Sequence, residues 1–290
     1  MYFYEYNVLK YYLKYFKTRR DFSMKTAIYC FSGTGNNLMI AKRLATLIGE
    51  TDIFPIRVLK DNKTISPEYE WVGFVTPAYY SHVPPLVQEA MKNLTFSNHQ
   101  KIFTIVGCGI NRGAAHQDLR EALEQSNKQA QLEYMIAMPG SYIISYGGFP
   151  DWGVKIMTNL ANRKIDKIAK DILNNRKKSV SKYGLFYKEK YEKSLKEKID
   201  SYSAVCQQYT VSEACIKCKT CIDVCPNKNI SLQDDKIVFG NNCQQCMACI
   251  QWCPKKAIDY KGLTHERKHY HNPYTAVKDM KEFQQTEIVK

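Results

Sequence analysis

The chain has 290 residues, a hydrophobic content of 44% and a formal net charge of +14. At about 150 residues per domain this length favours two domains, and no apolar run approaches the ~18 residues that a membrane-spanning helix needs. Eight of the eleven cysteines lie between Cys215 and Cys253. This local clustering, with no secretory signal expected before it, excludes a secreted disulfide scaffold and favours a reducing cytoplasm.

Residues 1–23 mix Tyr, Phe and Leu with Lys and Arg, and they lack the uninterrupted apolar core of a signal peptide. Met24 begins the run MKTAIYCFSGTGNN, which looks like a natural start. We therefore expect residues 1–23 to be a mis-assigned start or a disordered extension. A basic aromatic helix at this position is also compatible with contact at a membrane surface.

From Lys25 to about Gly140, apolar strands alternate with amphipathic helices. The predicted strands are residues 26–30, 52–56, 70–77, 101–109 and 131–140. The predicted helices are residues 40–48, 86–94, 114–125 and about 154–173, the last with Met157, Leu160, Ile165, Ile168 and Ile172 facing the core. This alternation predicts an α/β domain over residues 24–178, built on a doubly wound, five-stranded parallel sheet.

Three further segments follow this domain. Residues 179–204 are rich in Lys and Tyr and are predicted to form a basic connector. Residues 205–262 are cysteine-rich and strand-poor, which marks a second domain. The tail at residues 263–290 has no clear period and is expected either to pack against the domains or to be disordered.

Two cysteine runs repeat at a spacing of 28 residues, CIKCKTCIDVCP from Cys215 and CQQCMACIQWCP from Cys243. Each reads C-x2-C-x2-C-x3-C-P, the bacterial pattern for two four-iron, four-sulfur clusters, in which the fourth cysteine of each run ligates the other cluster. Structural zinc prefers paired C-x2-C units with a long spacer and does not explain two identical runs closed by proline. The predicted ligands are Cys215, Cys218, Cys221 and Cys253 for cluster 1, and Cys225, Cys243, Cys246 and Cys249 for cluster 2.

The cysteine-rich segment closely resembles the bacterial two-cluster ferredoxins over roughly residues 211–261. The resemblance implies a small α+β domain with two [4Fe-4S] clusters, one-electron transfer at low potential, and oxygen sensitivity. The apolar residues expected to pack round the clusters are Ile216, Ile222, Val224, Ile230, Ile237, Phe239, Ile250 and Trp252. Cys206, outside both runs, is uninformative.

The run FSGTGNNL, residues 31–38, is a glycine-bearing turn between the first strand and the first helix, which is a favourable place for a phosphate. A P-loop would need a Lys after its second glycine, and a dinucleotide fingerprint would need a third glycine where Leu38 stands. The run instead resembles the FMN-phosphate loop of the flavodoxins. That resemblance places Ser32, Gly33, Thr34, Gly35, Asn36 and Asn37 round the phosphate, with Asn37 departing from the usual Thr or Ser.

The flavodoxin resemblance extends to about Leu173 and implies the sheet order 2-1-3-4-5, with FMN at the switch point between strands one and three. After the third strand it places Pro77, Ala78, Tyr79 and Tyr80 against the isoalloxazine, with one Tyr stacking on the ring. After the fourth strand it places Gly107, Cys108, Gly109 and Gly113 beside the ring. In the loop after strand five, Tyr142, Tyr146 and Trp152 are expected to cover the flavin or to contact the second domain.

Together the two parts resemble the flavodoxin–ferredoxin fusion proteins of anaerobic bacteria. The resemblance implies an electron-transfer iron–sulfur flavoprotein that exchanges electrons with an external redox partner, such as an acidic ferredoxin or flavodoxin or a reductase. Residues 151–200 contain 14 Lys or Arg and 7 Asp or Glu, a net +7, which either forms a solvated face or docks such a partner.

Two other functions remain open: a flavin-dependent reductase of a small-molecule substrate, and a ferredoxin fused to a flavin-free, flavodoxin-like binding module. No acid–base pair or nucleophile is apparent, so no catalytic residue is assigned. No nucleic-acid-binding module is recognisable, and nucleic acid is not an expected partner.

Overall fold

The computed structural model describes residues 24–184 and 202–288. The extension at residues 1–23 and the part of the connector at residues 185–201 lie outside the described residues. The strands are β1 (Thr26–Cys30), β2 (Thr51–Pro55), β3 (Trp71–Pro77), β4 (Lys101–Cys108), β5 (Leu132–Ala137), β6 (Tyr209–Val211), β7 (Ile230–Gln233), β8 (Lys236–Phe239) and β9 (Ile258–Tyr260). The α-helices are α1 (Asn36–Ile48), α2 (Pro85–Met91), α3 (Ala115–Glu124), α4 (Asp151–Leu173), α5 (Tyr202–Val205), α6 (Thr220–Asp223), α7 (Ala248–Gln251) and α8 (Val277–Gln285).

The first five strands form one parallel sheet in the order β2-β1-β3-β4-β5. Cys30 at the end of β1 pairs with Pro55 of β2 and with Val75 of β3. The predicted α/β architecture and strand order are therefore confirmed. Because the strands are parallel, the loops after β1, β3, β4 and β5 meet at one edge of the sheet, where ligands bind in this class of fold.

Apolar layers cover both faces of the sheet, as expected for a parallel sheet with helices on both sides. One layer contains apolar residues of α1 and α4, and the other contains apolar residues of α2 and α3. The first layer continues into the C-terminal half of the chain, because Val224, Trp252, Met280 and Phe283 belong to the same buried cluster. The two halves thus share one apolar interface.

The prediction for the inward face of α4 is wrong at Leu160, whose side chain is 58% exposed. Ile165, Ile168 and Ile172 are buried as predicted, and Val154, Thr158 and Ala161 complete the buried face. The larger apolar residues Ile156 and Leu160 in the first half of the helix are exposed. Which face of α4 is buried depends on the neighbouring elements and cannot be read from helical periodicity alone.

The cysteine-rich segment contains the antiparallel pair β6–β9 and the hairpin β7–β8. Its 28-residue repeat also appears in the backbone. Non-glycine residues with positive φ occur in three pairs exactly one repeat apart: Lys217 (53°) and Gln245 (47°), Lys219 (59°) and Met247 (61°), Lys228 (50°) and Lys256 (49°). The two cysteine runs therefore adopt the same local conformation.

The C-terminal tail packs against the domains, which is one of the two expected outcomes. Its helix α8 buries Met280, Phe283 and Gln284. Lys42 of α1 forms an ion pair with Asp279 at 2.7 Å, and the Arg57 guanidinium donates to the Gln284 carbonyl oxygen at 2.7 Å. The tail thus lies beside the β1–α1 loop and the β2 edge of the sheet.

Candidate functional site

A cavity of about 230 Å³ lies at the carboxyl edge of the parallel sheet. The three loops predicted from sequence converge on it. Its lining from these loops is Ser32, Gly33, Thr34, Asn36, Asn37, Pro77, Ala78, Tyr79, Tyr80, Gly107 and Gly109. The remaining lining comes from the loop after β5, which includes Tyr142 and Tyr146, and from Gln245, Cys246 and Met247 of the second cysteine run.

Three of the predicted site residues do not line the cavity. Gly35 precedes α1 with a φ of 88°, so it supplies the left-handed turn that starts the helix. Cys108 is 6% exposed at the end of β4, and burial raises the pKa of its thiol to about 12. Gly113 has a φ of 54°, and a Cβ there would come within 2.1 Å of the Ser81 side chain. These residues shape the loops rather than contacting the cavity. Trp152 is 71% exposed and also does not line it.

The loop at residues 32–35 presents unused backbone donors. Within the described part of the chain, the N–H groups of residues 33–37 donate to no protein acceptor. Two of these residues, Asn36 and Asn37, begin α1, where the helix dipole adds positive potential. Free N–H groups at a helix N-terminus are a suitable site for a phosphate group.

Asn37 connects this loop to the end of β4. Its Nδ2 donates to the Phe31 carbonyl oxygen at 2.9 Å, while its buried Oδ1 accepts no hydrogen bond in the described structure. A Cβ at Gly107 would approach that oxygen to 2.0 Å. Only glycine therefore fits at residue 107. The close contact fixes the loop after β4 against the loop at residues 32–35, which is called the phosphate-type loop below.

Aromatic hydroxyl groups lie on another side of the cavity. The Tyr80 and Tyr142 hydroxyl oxygens are 2.5 Å apart, and each is 3.3–3.4 Å from Oε1 of Gln245. Tyr79 packs edge-on against Phe31, with 6.0 Å between ring centroids. Burial, together with the Tyr80 hydrogen bond, raises the pKa of Tyr142, so its hydroxyl keeps its proton at neutral pH.

The first group of cysteines combines both runs. Burial raises the pKa of the Cys221 thiol to about 12, and the charges of Cys253, Cys215 and Cys218 raise it further. Cys253 comes from the second run, so the structure brings together the four residues predicted for cluster 1. Cys218 is exposed to solvent, whereas Cys221 is buried.

The second group is also crossed between the runs. Burial raises the pKa of Cys249 well above its ordinary value, and the nearby charges of Cys246 and Cys225 add to this rise. Cys243 interacts in the same way with Cys246 and Cys249. The four residues predicted for cluster 2 lie together, and all four line a small cavity of about 20 Å³.

Backbone N–H groups already point at several of these sulfur atoms. Asn229 N–H donates to Cys225 Sγ and Ala257 N–H donates to Cys253 Sγ, each at 3.3 Å and one sequence repeat apart. Such hydrogen bonds stabilise thiolates and influence cluster potential. In residues 24–184 and 202–288, no three His, Cys, Asp or Glu side chains are placed to hold a single metal ion. This finding does not conflict with a cubane cluster, because the thiolates of a cubane bind different irons.

The sequence interpretation missed Cys206. This residue is 1% exposed, lines the cavity of the second cysteine group, and donates from Sγ to the Gly240 carbonyl oxygen at 3.2 Å. A hydrogen bond with the Cys243 thiol lowers the pKa of Cys206 to about 7. Because Cys206 precedes the first run and fits no spacing rule, only the fold reveals its position. Ile216, predicted to pack round the clusters, is 58% exposed instead.

The two sites share Cys246, which lines both cavities. A Cβ at Gly33 would meet the Cys246 carbonyl oxygen at 2.6 Å, so the second cysteine run lies directly on the phosphate-type loop. Trp252, between Cys249 and Cys253, donates from Nε1 to the Gly33 carbonyl oxygen at 2.9 Å. No sequence pattern connects these residues, because they come from opposite halves of the chain.

Residues 214–257 match the family described as "4Fe-4S dicluster domain". The chain is also similar to three solved structures, the Flv1 flavodiiron core of Synechocystis sp. PCC6803, a Megasphaera elsdenii flavodoxin and a protein described as flavone reductase. The identities are 14%, 12% and 12%, and the TM-scores are 0.33, 0.31 and 0.30. The matches cover 57%, 51% and 74% of this chain and 41%, 99% and 74% of the other chains, so this chain spans less than half of the flavodiiron core. No curated protein matches the chain.

The strand order 2-1-3-4-5 is that of the flavodoxin-like fold. Together with the dicluster match, it defines an iron–sulfur protein whose cluster-binding region follows a flavodoxin-like domain. The chain thus has the organisation of a flavodoxin–ferredoxin fusion. None of the helices in the described residues is both long and apolar enough to cross a membrane.

Proposed function

We propose that the chain is a cytoplasmic electron-transfer iron–sulfur flavoprotein, in which two [4Fe-4S] clusters and FMN exchange electrons with an external redox partner. The main support is the contact between Cys246 and Gly33, because it joins a predicted cluster ligand to the predicted FMN-phosphate loop. Clusters carry one electron at a time, whereas FMN accepts one or two, so the pair supplies a way to collect or divide electrons.

The residues of the flavodoxin-like cavity fit FMN. The N–H groups of residues 33–37 are available for the phosphate. Gly107 leaves no room for a Cβ beside Asn37 Oδ1, and that unpaired oxygen can accept a hydrogen bond from the bound group. Tyr79 and Tyr80 line the cavity and would contact the isoalloxazine.

The cysteines fit two clusters in the crossed arrangement. Cys215, Cys218, Cys221 and Cys253 would hold one cluster, and Cys225, Cys243, Cys246 and Cys249 would hold the other. The second set lies next to the FMN cavity through Cys246, whereas the first set includes the exposed Cys218. The second cluster would therefore be the one nearest the flavin, and the first would be the more accessible to a partner.

An acidic redox protein, such as a ferredoxin, a flavodoxin or the acidic face of a reductase, is the proposed partner. Lys217 and Lys219 are exposed on either side of Cys218, and Lys255 and Lys256 are exposed just after Cys253. This positive rim lies beside the more accessible cysteine group and would steer an acidic surface towards it. Residues 151–184, the described part of the basic stretch at residues 151–200, would add to the attraction of an acidic partner.

The test is purification without oxygen followed by iron, sulfide and flavin assays on one sample. The proposal expects near eight irons and one FMN per chain, and photoreduced clusters should pass electrons to the flavin in stopped-flow absorbance. Eight irons with no flavin bound, even after FMN is added, would contradict the proposal. That result would favour a ferredoxin fused to a flavin-free, flavodoxin-like module.

Reduction of a small molecule is a second candidate, supported by the Tyr80–Tyr142 hydroxyl pair in the cavity. The Tyr142 hydroxyl, whose pKa is raised by burial, could donate a proton to a substrate bound above the flavin. A Tyr142→Phe variant distinguishes the two functions. Small-molecule reduction would slow by about 100-fold if the hydroxyl acts as the acid, whereas transfer to a protein partner would be unchanged.

A further inference from the structure

Four consecutive carbonyl oxygens of the phosphate-type loop accept hydrogen bonds from the C-terminal part of the chain. The pairs are Gln284 Nε2 to Ser32 O at 3.2 Å, Trp252 Nε1 to Gly33 O at 2.9 Å, Asn272 N to Thr34 O at 2.8 Å, and Thr275 Oγ1 to Gly35 O at 3.2 Å. The donors come from three separate segments: the end of the second cysteine run, the loop before α8, and α8 itself. The loop is therefore held by residues that lie at least 200 positions further along the chain.

The donor side chains are as buried as core residues. Trp252 is 6% exposed, Thr275 is 3% exposed and Gln284 is 1% exposed. A Cβ at Gly35 would meet the Thr275 Cβ at 2.9 Å, so the tail packs directly on the loop. Asn36 is fixed from the same side, because the Tyr270 hydroxyl donates to its Oδ1 at 2.6 Å.

These contacts set the orientation of the peptide groups. In a planar trans peptide the C=O and the next N–H point in opposite directions. Holding the carbonyl oxygens of residues 32–35 towards the C-terminal donors therefore turns the N–H groups of residues 33–36 away from them. Those N–H groups are the ones without a protein acceptor in the described chain.

We propose that Trp252, Thr275 and Gln284 are positioning residues for the FMN phosphate, so that the flavin site is completed by the C-terminal half of the chain. The inference rests on the proposed FMN site and concerns only its phosphate end. Each residue acts through a loop carbonyl and need not touch the ligand. Loss of the donor to Ser32 or Gly33 frees that carbonyl to rotate, which lets the adjacent N–H turn out of place. The Gly35 carbonyl is less dependent on Thr275, because Met39 N–H also donates to it at 2.9 Å.

The test compares FMN with riboflavin, which lacks the phosphate. Cluster-containing protein is stripped of flavin and titrated without oxygen, and the Kd is followed by flavin fluorescence. The variants Trp252→Phe, Thr275→Val and Gln284→Leu each remove one donor while keeping an apolar shape. The matched controls are Trp152→Phe and Gln285→Leu, which change exposed residues of the same types.

We expect Trp252→Phe and Gln284→Leu each to raise the Kd for FMN by about three- to tenfold, with the Kd for riboflavin and the iron and sulfide contents unchanged. Thr275→Val should raise it by less, because Met39 N–H still donates to the Gly35 carbonyl oxygen. The controls should match the wild type for both flavins. An equal loss of FMN and riboflavin would overturn the inference, because it would indicate general disruption of the cavity. Unchanged FMN binding in all three variants would overturn it too, while leaving the proposed function intact. Failure of the wild type to bind FMN would overturn both.

Discussion

The carbonyl oxygen of Cys246 lies against Gly33, with only 2.6 Å between that oxygen and the place where a Cβ of residue 33 would be. A cysteine of the second run and the phosphate-type loop thus share one contact surface. Cys246 also lines the cavity of its own cysteine group. Any change of packing at this contact acts on both predicted cofactor sites.

Replacement of Gly33 with Ala tests this contact. The new methyl group must displace the loop or the Cys246 backbone, and overpacking of this kind typically destabilises by about 1–3 kcal/mol. We expect FMN affinity to fall by about tenfold or more, as measured by fluorescence titration. The control is Gly153→Ala, whose Cβ would meet only the Phe149 ring at 3.9 Å. Equal FMN affinities for Gly33→Ala and wild type would show that the contact does not constrain the loop.

Cys206 is expected to influence the cluster held by the second cysteine group. Its single S–H donates to the Gly240 carbonyl oxygen in this structure and can turn to Cys243 once that residue is a thiolate ligand. Hydrogen bonds to cluster sulfur atoms help set the potential by favouring the reduced, more negative form. Cys206→Ala should therefore lower the midpoint potential of this cluster, as followed by EPR-monitored redox titration. Cys206→Ser keeps a donor and should restore most of the wild-type value. An unchanged potential in Cys206→Ala would contradict the prediction.

The lysines after Cys253 test the proposed docking of an acidic partner. Lys255→Glu combined with Lys256→Glu should slow reduction by an acidic ferredoxin about tenfold at low salt, because the steering charge is reversed. Raising the ionic strength should slow the wild type and bring the two rates together. Stopped-flow absorbance measures both effects. Lys92→Glu, at an exposed lysine after α2, is the control and should react like the wild type. A wild-type rate independent of salt would argue against electrostatic docking.

Because the His116 side chain is buried, we expect the protein to lose stability under mildly acidic conditions. It is fully buried, and neither ring nitrogen makes a hydrogen bond in the described residues. Burial, together with the Arg112 charge, lowers its pKa from 6.5 to about 3. Protonation therefore favours the unfolded chain, so stability falls as pH drops below the unfolded-state pKa. Between pH 7 and pH 5 this amounts to about 2 kcal/mol.

The measurement for His116 is the urea-unfolding midpoint at pH 7 and at pH 5. His116→Leu should remove most of the pH dependence, because leucine has no group that takes up a proton. His99→Leu changes an exposed histidine and should keep the wild-type slope. If His116→Leu and wild type lose the same stability, another group is responsible.

Much of the architecture follows from local sequence pattern. The parallel α/β sheet and the dicluster segment could be predicted because strand–helix alternation and fixed cysteine spacing are short-range signals. The strand order came from the flavodoxin resemblance, since alternation alone does not specify it. The helix α1 begins at Asn36 rather than at residue 40, because Gly35 supplies the left-handed turn immediately before it. Asn36 and Asn37 therefore belong to the first helical turn, a detail that apolar periodicity does not reveal.

The long-range parts of the site could not be predicted. Gln245, Cys246 and Trp252 reach the flavodoxin-like loops only because the two halves pack together, and such packing leaves no fixed spacing in the sequence. The tail lacked a recognisable period because α8 is short and buries only one narrow face. Cys206 likewise gains its position from the fold alone.

The hydrogen bond between Gln284 and Ser32 has a consequence for biosynthesis. The ribosome makes the parallel sheet and its phosphate-type loop long before it makes the residues that fix the loop carbonyls. In a nascent chain that has emerged only as far as the sheet, the loop carbonyls lack their C-terminal hydrogen-bond donors, so the loop peptide groups are not held in one orientation. Under the proposed arrangement, tight flavin capture follows synthesis of α8, and a product terminated before α8 would bind FMN more weakly.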